Sequence, residues 1–369
     1  MYGVIERRRQ YLHLMRQVTL DKGHFTVTDI QGAAKVPRST AQDWINRLVS
    51  EGCVIVKERK KGRLPARYVA VSAVPASACR RIFTTVDGDW VEIYHDCMSG
   101  ACAAFCGYHH GMAGGVLTHI QREGTLLREC ARIGRSEIGI GLYPSAAVGV
   151  KGVRREGDMV VQEIRCIGGP AYSLSDMMSG AQGVEKVKIR KKGSLVEGEV
   201  YTRALAHLVV GIDDTDSPAG GATFAIALAL LQHISGMKGV IPIGHYVAML
   251  YPSLPGKTAG NSCCFIDIAV DPSKIDTVKE RVIKFMRDEA VSPEWGVAFM
   301  TGFRIPADLR NFGNQARSGI VTRESAVGHA KEHDITLYGG MGVIGALAAV
   351  SLWGLDNAVL LNVKADIPV

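Results

Sequence analysis

The stretch that decides the fold runs Leu208-Val209-Val210-Gly211-Ile212-Asp213-Asp214-Thr215-Asp216-Ser217-Pro218, and Gly220-Gly221-Ala222-Thr223 follows after one residue. Its apolar start predicts a short strand, and the apolar run that begins at Phe224 and ends at Ile234 predicts a helix. Three carboxylates at the carboxyl end of a strand offer the hard oxygen ligands that Mg²⁺ prefers. The glycine-rich turn before the helix offers free backbone N–H groups to phosphate. Together these features predict a nucleotide site.

Two later motifs extend this chemistry. The first is Pro255-Gly256-Lys257-Thr258-Ala259-Gly260-Asn261, where the lysine can place a point charge on a phosphate; a surface lysine in a β-turn is the alternative. The second is Gly340-Met341-Gly342-Val343-Ile344-Gly345-Ala346-Leu347-Ala348-Ala349, within a segment that predicts a buried, glycine-rich helix. The chain has neither a Walker A loop nor a dinucleotide fingerprint after a strand.

In order along the chain, residues 211–217, 255–261 and 340–349 resemble three motifs of the kinase-like domain of the archaeal tRNA(Ile) agmatinylcytidine synthase family. The synthase of that family uses ATP to activate a cytidine carbonyl by phosphoryl transfer before agmatine attacks. Its kinase-like domain also hydrolyses ATP to modify a threonine of its own loop. The resemblance therefore implies an ATP- and magnesium-binding domain. A weaker resemblance links this domain to a methanogenesis-marker family of unknown activity.

Residue by residue, the resemblance implies catalytic roles for Asp213, Asp214, Asp216, Thr223 and Lys257, with the aspartates near Mg²⁺ and Thr223 as a phospho-acceptor. It implies cofactor contacts at Gly211, Thr215, Ser217, Gly220, Gly221, Thr258, Gly260, Asn261, Gly342 and Gly345. Ala222 and Phe224 depart from the family's cysteine and second threonine. The chain ends soon after the third motif, so we expect no OB-fold and zinc ribbon to hold tRNA, which argues against agmatine conjugation.

The N-terminal pattern is that of a winged helix-turn-helix over residues 1–75. Apolar residues between Glu6 and Val18 recur at helical spacing, and Thr26 or Thr28 is placed to cap a second helix. After Pro37, a third helix is predicted to begin near Ser39, which forms a capping box with Gln42. Two strands, 53–56 and 68–71, are predicted to flank a basic hairpin.

The charge distribution indicates a polyanionic partner for this domain. Residues 1–75 hold 14 Lys and Arg against 6 Asp and Glu, a balance of +8 in a chain whose net charge is +7. In a winged helix the third helix reads bases and the hairpin lies on phosphate. We therefore expect contacts to nucleic acid, DNA before RNA, from Arg38, Ser39, Thr40, Gln42, Asn46, Arg47, Lys60, Lys61, Arg63 and Arg67. A protein-docking role is the alternative.

The middle segment, residues 76–205, predicts short strands at 82–86, 90–94 and 160–164 and an α+β fold of no named type. Its Cys97, Cys102, Cys106 and His109 or His110 form a cluster of soft ligands that can hold Zn²⁺ or an iron–sulfur cluster. Packed or redox-active thiols in a turn are the alternative. Lys186, Lys188, Arg190, Lys191 and Lys192 predict a solvated basic edge, with a nucleic-acid contact as second choice.

The composition limits the class of protein and its location. The chain has 369 residues, is 47% hydrophobic, and has nine cysteines without a secretory signal or an apolar run long enough for a membrane span. This predicts a cytoplasmic, multidomain α/β protein with reduced thiols and no membrane partner, in which residues 206–369 form the kinase-like domain. The sequence leaves open whether the protein forms a homodimer.

Two functions fit these observations. The first is an ATP- and magnesium-dependent phosphotransferase or ligase-like enzyme that acts on nucleic acid or is regulated there. The second is a winged-helix transcriptional regulator in which the kinase-like domain senses a nucleotide and the cysteines sense metal or redox state.

Overall fold

The computed structural model describes residues 2–62, 64–73, 79–168, 178–257 and 260–365. Two predicted contact residues, Arg63 and Thr258, lie outside these ranges. Within them, no helix combines the length and hydrophobicity that a membrane crossing requires.

The N-terminal part has the predicted winged-helix order, with α1 (Tyr2–Lys22), α2 (Val27–Ala34), α3 (Arg38–Ser50), β1 (Val54–Glu58) and β2 (Arg67–Ala70). β1 and β2 pair antiparallel. One hydrophobic core unites all five elements, and its fully buried members include Met15, Phe25, Ile30, Ile45 and Leu48. The helical periodicity of the sequence was therefore sufficient to define this domain.

The third helix begins near Ser39, as predicted, but its predicted capping box is absent. The helix begins at Arg38 after Pro37, whose φ of −57° and ψ of 149° bring the chain in from an extended conformation, and no side chain caps it. Gln42 does not form a capping box with Ser39, because its amide donates to Asn46 Oδ1 at 2.9 Å. The capping box lies at α2 instead, between Thr26 and Asp29.

The middle segment is mainly antiparallel sheet. Its elements are β3 (Cys79–Asp87), β4 (Trp90–Cys97), α4 (Gly100–Ala113), β5 (Leu117–Glu123), β6 (Leu126–Arg132), β7 (Gly134–Arg135), β8 (Val148–Glu156), β9 (Met159–Ile167) and β10 (Val184–Lys192). The three predicted strands fall inside β3, β4 and β9. The basic run lies on β10, which pairs with one other described strand, as expected for a solvated edge.

The strand that leads into the aspartates was predicted to be short, but it is the longest strand among the described residues. β11 (Leu195–Asp213) crosses the predicted boundary at 205/206. Its first half pairs with β9 and β10, and Ala204–Ala206 pairs in parallel with β3. β11 therefore joins the sheet of the middle segment to that of the C-terminal domain.

The C-terminal domain is built around the second half of β11. The following elements are α5 (Thr223–Ser235), β12 (Val240–Met249), β13 (Ser262–Val270), a short 3₁₀ helix (Pro272–Lys274), α6 (Ile275–Glu289), β14 (Gly296–Thr301), α7 (Ala307–Ser318), α8 (Arg323–Glu332), β15 (Thr336–Gly339), α9 (Val343–Ser351) and α10 (Asn357–Leu360). β11 lies between β13 and β14, and both neighbours run antiparallel to it. This part has the predicted α/β character.

The alternation of side chains along β11 separates the two layers that cover the sheet. Leu208, Val210 and Ile212 pack in one core with residues of α5 and α6. Val209 packs in the other core, which α7, α8 and α9 supply. The domain is therefore a three-layer sandwich in which the sheet is buried on both faces.

The backbone of α9 lies directly on the end of β11 because glycines leave room for it. A Cβ atom added at Gly211 would lie 2.0 Å from the carbonyl oxygen of Ala346. On the neighbouring strand, one added at Gly296 would lie 2.0 Å from the amide nitrogen of Val343. Atoms of real proteins do not approach so closely, so only glycine allows this packing distance.

A buried charged network joins the middle segment to the C-terminal domain. His207 on β11 contacts Asp267 of β13 and lies 3.4 Å from Glu92 of β4, and Arg128 donates to Glu92 at 2.7 Å. Burial alone lowers the pKa of His207, but the attraction of Asp267 and Glu92 outweighs it and raises that pKa to about 9. His207 is therefore protonated at neutral pH, and its charge is compensated inside the core.

We predict that Gly211→Ala destabilises the C-terminal domain by about 1–3 kcal/mol, because the new methyl group clashes with the backbone of α9, which cannot move without disturbing its packing. The free energy of unfolding, measured by denaturant titration, checks this. The control is Gly328→Ala in α8, where an added Cβ meets nothing within 4 Å. That substitution should be neutral or stabilising. Equal stability of the two variants would contradict the packing described for α9.

Candidate functional site

A cavity of about 410 Å³ lies beyond the carboxyl end of β11. Four segments form its walls: the aspartate loop after β11, the loop before β13, the α7–α8 connection and the start of α9. Its lining includes Asp213, Asp214, Asp216, Leu250, Tyr251, Leu254, Lys257, Gly260, Asn261, Ile320, Val321, Met341, Gly342, Ile344 and Gly345. All three sequence motifs therefore meet at one cavity of the size that holds small ligands.

A slightly larger cavity, of about 480 Å³, lies on the middle segment. Its walls are mainly paired side chains of opposite charge, such as Arg165 with Glu197. It is remote in sequence from all three motifs. We place the candidate site at the smaller cavity, since the carboxylates and the helix terminus lie there.

The aspartate loop turns sharply where β11 ends. Asp214 has a φ of 56°, a left-handed conformation that costs a non-glycine residue about 1–3 kcal/mol. The buried Thr215 compensates for this strain, because its carbonyl accepts from the amides of Val291 and Ser292 at 2.9 and 3.1 Å. Thr215 therefore anchors the loop and does not itself line the cavity, contrary to the contact predicted for it.

The aspartates disfavour one another's charge. Burial, with smaller contributions from Asp214 and Asp216, raises the pKa of Asp213 to about 8. Burial raises the pKa of Asp214 too, and Asp216 and Glu294 add to the effect. Carboxylates held in this way favour a cation that restores their ionised form.

The three aspartates do not converge on one point, since they are not among the described side chains whose ligand atoms all lie within 4.8 Å of one another. Mg²⁺ is usually held by one or two carboxylates together with phosphate oxygens and water. The donor set therefore fits Mg²⁺ that arrives with a nucleotide better than an ion held by protein alone.

The predicted phosphate turn before α5 is closed by two hydrogen bonds of its own. The amide of Gly220 donates to the carbonyl of Ser217 at 2.9 Å, and the reverse bond has the same length. Neither residue, nor Gly221, lines the cavity. Gly221 approaches the backbone of Asp216, so a cofactor contact at these three positions requires the turn to move toward the cavity.

Thr223 is buried at the first position of α5, with 6% of its surface exposed. Its hydroxyl donates to Asp216 Oδ1 at 3.1 Å and accepts from the Thr215 hydroxyl at 3.0 Å. It is outside the cavity lining. In this conformation Thr223 orients Asp216, and phosphorylation of its hydroxyl requires the loop to open.

The helix terminus that faces the cavity belongs to α9 rather than α5. α9 has no side-chain cap, and Met341, Gly342, Ile344 and Gly345 at its start line the cavity. The amides of Gly342, Val343 and Ile344 already donate to the carbonyls of Glu294, Gly340 and Met341, so the start of α9 attracts phosphate mainly through the helix dipole. A Cβ at Gly345 would lie 1.7 Å from Asp213 Oδ2, so this glycine admits the carboxylate to the first turn. Gly211, predicted as a contact, instead lies under Ala346.

The Pro255–Asn261 loop forms the opposite wall. Lys257 is exposed and lines the cavity, as does Gly260. Asn261 closes the base of the loop, because its side-chain amide donates to the carbonyl of Tyr251 at 2.8 Å. Lys257 is therefore positioned to meet an anion, and Asn261 shapes the loop that presents it.

Sequence reasoning missed two parts of the site. Glu294 accepts from the amide of Met341 at 2.9 Å and so connects the third motif to the aspartate loop. Ile320 and Val321, in the α7–α8 connection, supply an apolar wall, and Ile320 is 66% exposed. An isolated Glu and a short apolar pair form no sequence motif that predicts a binding site. An exposed isoleucine in a loop nevertheless indicates a surface that contacts a ligand.

On the winged helix, the predicted base-reading residues lie along α3. Arg38, Ser39 and Arg47 are exposed, whereas Thr40 and Gln42 are half-buried. In the hairpin, Lys60 and Lys61 are exposed. Two predicted cations already have acidic partners: Arg47 lies 3.1 Å from Glu51, and Arg67 lies 3.2 Å from Glu58. Contacts from Lys60 and Lys61 should therefore contribute most of the phosphate attraction.

The predicted cysteine–histidine cluster is a helix rather than a turn. Cys102, Cys106, His109 and His110 lie on α4, and Cys97 is the last residue of β4. Both imidazoles have other partners: His109 Nδ1 accepts from the amide of Ala147 at 3.1 Å, and His110 lies 2.5 Å from Glu129.

These groups do not form a metal site as folded. Among the described residues, the potential ligands whose atoms lie within 4.8 Å of one another are on α7 and α8, and none of the cysteines belongs to them. Cys97 and Cys106 pack with Ala103 and Leu127. The hydrogen bond with Cys79 contributes most to lowering the pKa of the Cys97 thiol, to about 7. A metal there would require α4 to rearrange.

Two family models match the chain. Residues 10–74 match "Sugar-specific transcriptional regulator TrmB", and residues 209–299 match "TiaS TCKD domain". The predicted resemblance at both ends is confirmed. The relatives named TiaS are tRNA 2-agmatinylcytidine synthetases, and the chain is 31% identical to that of Pyrococcus horikoshii over 157 residues, 41% of this chain and 36% of the relative. The chain thus spans about a third of such synthetases.

Other relatives add to this comparison. An uncharacterised protein of Methanocaldococcus jannaschii is 26% identical over 265 residues, 70% of this chain and 87% of that protein, so the match extends beyond the TCKD-like part. The crystal structure of a TiaS complex with its tRNA and ATP is 26% identical, with a TM-score of 0.37, and covers 39% of this chain and 36% of that one.

We predict that Lys60→Ala/Lys61→Ala weakens binding of the full chain to duplex DNA and flattens its salt dependence, by a slope of about 0.9 for each phosphate that the variant no longer neutralises. Fluorescence anisotropy at several salt concentrations measures this. The matched control is Lys191→Ala/Lys192→Ala on β10, which should leave binding unchanged. A larger effect in the control would show that nucleic acid binds to the middle segment rather than to the TrmB-like domain.

Proposed function

We propose that the chain is an ATP- and magnesium-dependent enzyme, a phosphotransferase or carbonyl-activating ligase, that acts on nucleic acid held by its TrmB-like domain. In this proposal residues 1–75 bind nucleic acid and residues 206–369 bind the nucleotide. Residues 76–205 connect these two domains. The observation that carries it is the cavity in which all three TiaS-like motifs meet.

The cavity has two unlike walls that suit the two ends of ATP. Leu254, Ile320 and Val321 offer apolar surface for the base. The dipole at the start of α9 attracts phosphate, and Lys257 lines the cavity from the opposite loop. This arrangement supports a binding mode in which the triphosphate lies between a helix terminus and a lysine, where its charge is stabilised for phosphoryl transfer.

All three aspartates line the cavity, and we assign Asp214 and Asp216 to magnesium because the Asp213 carboxylate lies against the first turn of α9. When bound, Mg²⁺ neutralises charge on the phosphates. Thr223 fixes the Asp216 side chain through its hydroxyl. The raised pKa of Asp213, about 8, favours its protonated form at neutral pH, and a cation bound in the cavity would favour its ionised form.

The second substrate is proposed from the relatives. Those named tRNA 2-agmatinylcytidine synthetase act on a tRNA cytidine, and the chain matches about a third of their length. Modification of an RNA or DNA carbonyl is the corresponding activity here.

A second candidate function is a transcription regulator that senses ATP. The match of residues 10–74 to a transcriptional regulator model favours it. In that case nucleotide binding shifts DNA affinity, and the shift cannot exceed the difference in ATP affinity between the two states.

We predict that Asp214→Ala and Asp216→Ala each weaken Mg²⁺-dependent ATP binding at least about tenfold, which is 1.4 kcal/mol. Calorimetry on the full chain, with and without Mg²⁺, measures this. Asp276→Ala, which removes an exposed carboxylate on α6, is the control and should bind as the wild type does. Unchanged affinity in both cavity variants would eliminate the nucleotide site.

Labelled ATP separates the two functions. An enzyme releases ADP or AMP faster when its nucleic-acid substrate is present, and the Asp216 variant loses this release. A sensor binds ATP without release, and ATP changes its affinity for DNA. Neither behaviour in folded protein would contradict both candidates.

A further inference from the structure

A separate cluster of chemistry-bearing side chains lies where α7 begins and α8 ends. It consists of Asp308, His329, Glu332 and His333. Each residue offers one ligand atom, and the four atoms lie within 4.8 Å of one another. None of the four lines the nucleotide cavity.

The fold explains why these residues meet. α7 and α8 are joined by four residues and form a helical hairpin, so the first turn of α7 lies beside the last turn of α8. His329, Glu332 and His333 have the spacing i, i+3 and i+4, which places them on one face. Asp308 meets this face from the opposite helix, and His333 Nε2 lies 2.6 Å from its Oδ2.

One imidazole of the cluster has unused bonding capacity. The Nδ1 atom of His329 is buried and has no hydrogen-bond partner among the described residues. The ring is held against Phe312, with centroids 5.3 Å apart. A buried imidazole nitrogen without a partner is costly, and a metal ion bound by this nitrogen would remove that cost.

We propose that Asp308, His329, Glu332 and His333 bind a divalent transition-metal ion of the zinc class. Two imidazoles and two carboxylates make the four-ligand set of a closed tetrahedral zinc site. Mg²⁺ and Ca²⁺ require more oxygen ligands and do not favour imidazole. The C-terminal end of α8 carries the partial negative charge that favours a cation.

Such an ion ties together the open end of the hairpin. The opposite end of the hairpin carries Gly319, Ile320 and Val321, so the metal stabilises the segment that forms the apolar cavity wall. The metal site itself does not depend on the proposed nucleotide function.

The test is the Zn²⁺ affinity of the full chain, measured by competition with a chromogenic chelator. We expect about one zinc per chain, and a loss of affinity of more than about 100-fold in His329→Ala/His333→Ala, since even removing a group that only supports a ligand costs 10–100-fold. The matched control, His13→Ala/His119→Ala, removes two exposed imidazoles elsewhere and should keep the site. His333→Gln can retain the hydrogen bond to Asp308, so a folded variant with weakened zinc affinity is available if the double variant unfolds.

Co²⁺ substitution identifies the ligands. At this site Co²⁺ should give the intense visible d–d bands of a four-coordinate ion without thiolate charge-transfer absorption, and Zn²⁺ should raise the melting temperature of wild type but not of the double variant. Strong thiolate bands that disappear in Cys102→Ser would assign the metal to the cysteines and overturn the proposal. Folded wild-type protein that binds neither Zn²⁺ nor Co²⁺ would also overturn it.

Discussion

The close approach of α9 to the ends of β11 and β14 is the contact on which the C-terminal domain depends. Gly211 and Gly296 let the helix backbone touch the sheet, and Gly345 admits the Asp213 carboxylate to the first turn of the helix. Any side chain at these positions would push α9 outward. The aspartate loop and the helix start would then separate, and the cavity would lose two of its walls. The glycines are thus a condition of the site, even though Gly211 does not face the ligand.

The same strand that delivers Asp213 also connects the domains. β11 begins in the sheet of the middle segment, passes His207 in a buried charged network, and ends at the aspartates. The aspartate loop is therefore attached to a strand that also belongs to the sheet of the middle segment, so the candidate site and that segment share one structural element.

Local patterns in the sequence predicted the elements well and their long-range partners poorly. The helical periodicity before Gly52 defined the winged helix, and the order of three motifs located the cavity. The capping box predicted at Ser39 is absent because the helix begins directly after Pro37, so Ser39 lies inside its first turn. The length of β11 was missed because polar residues such as Glu197 and Glu199 interrupt its apolar pattern; their side chains form ion pairs on the sheet surface. The phosphate turn was assigned to α5 since it adjoins the aspartates in sequence, whereas the α9 terminus reaches them only in the folded chain.

The account is tested most directly by a crystal structure of the full chain with Mg²⁺ and a non-hydrolysable ATP analogue. We predict that the phosphates lie at the start of α9 between Gly342 and Gly345, that the ion contacts Asp214 or Asp216, and that the base lies against Ile320 and Val321. A nucleotide whose phosphates lie at the start of α5 on an opened Ser217–Gly221 turn would contradict the proposed binding mode. A nucleotide bound outside this cavity would contradict the assignment of the site.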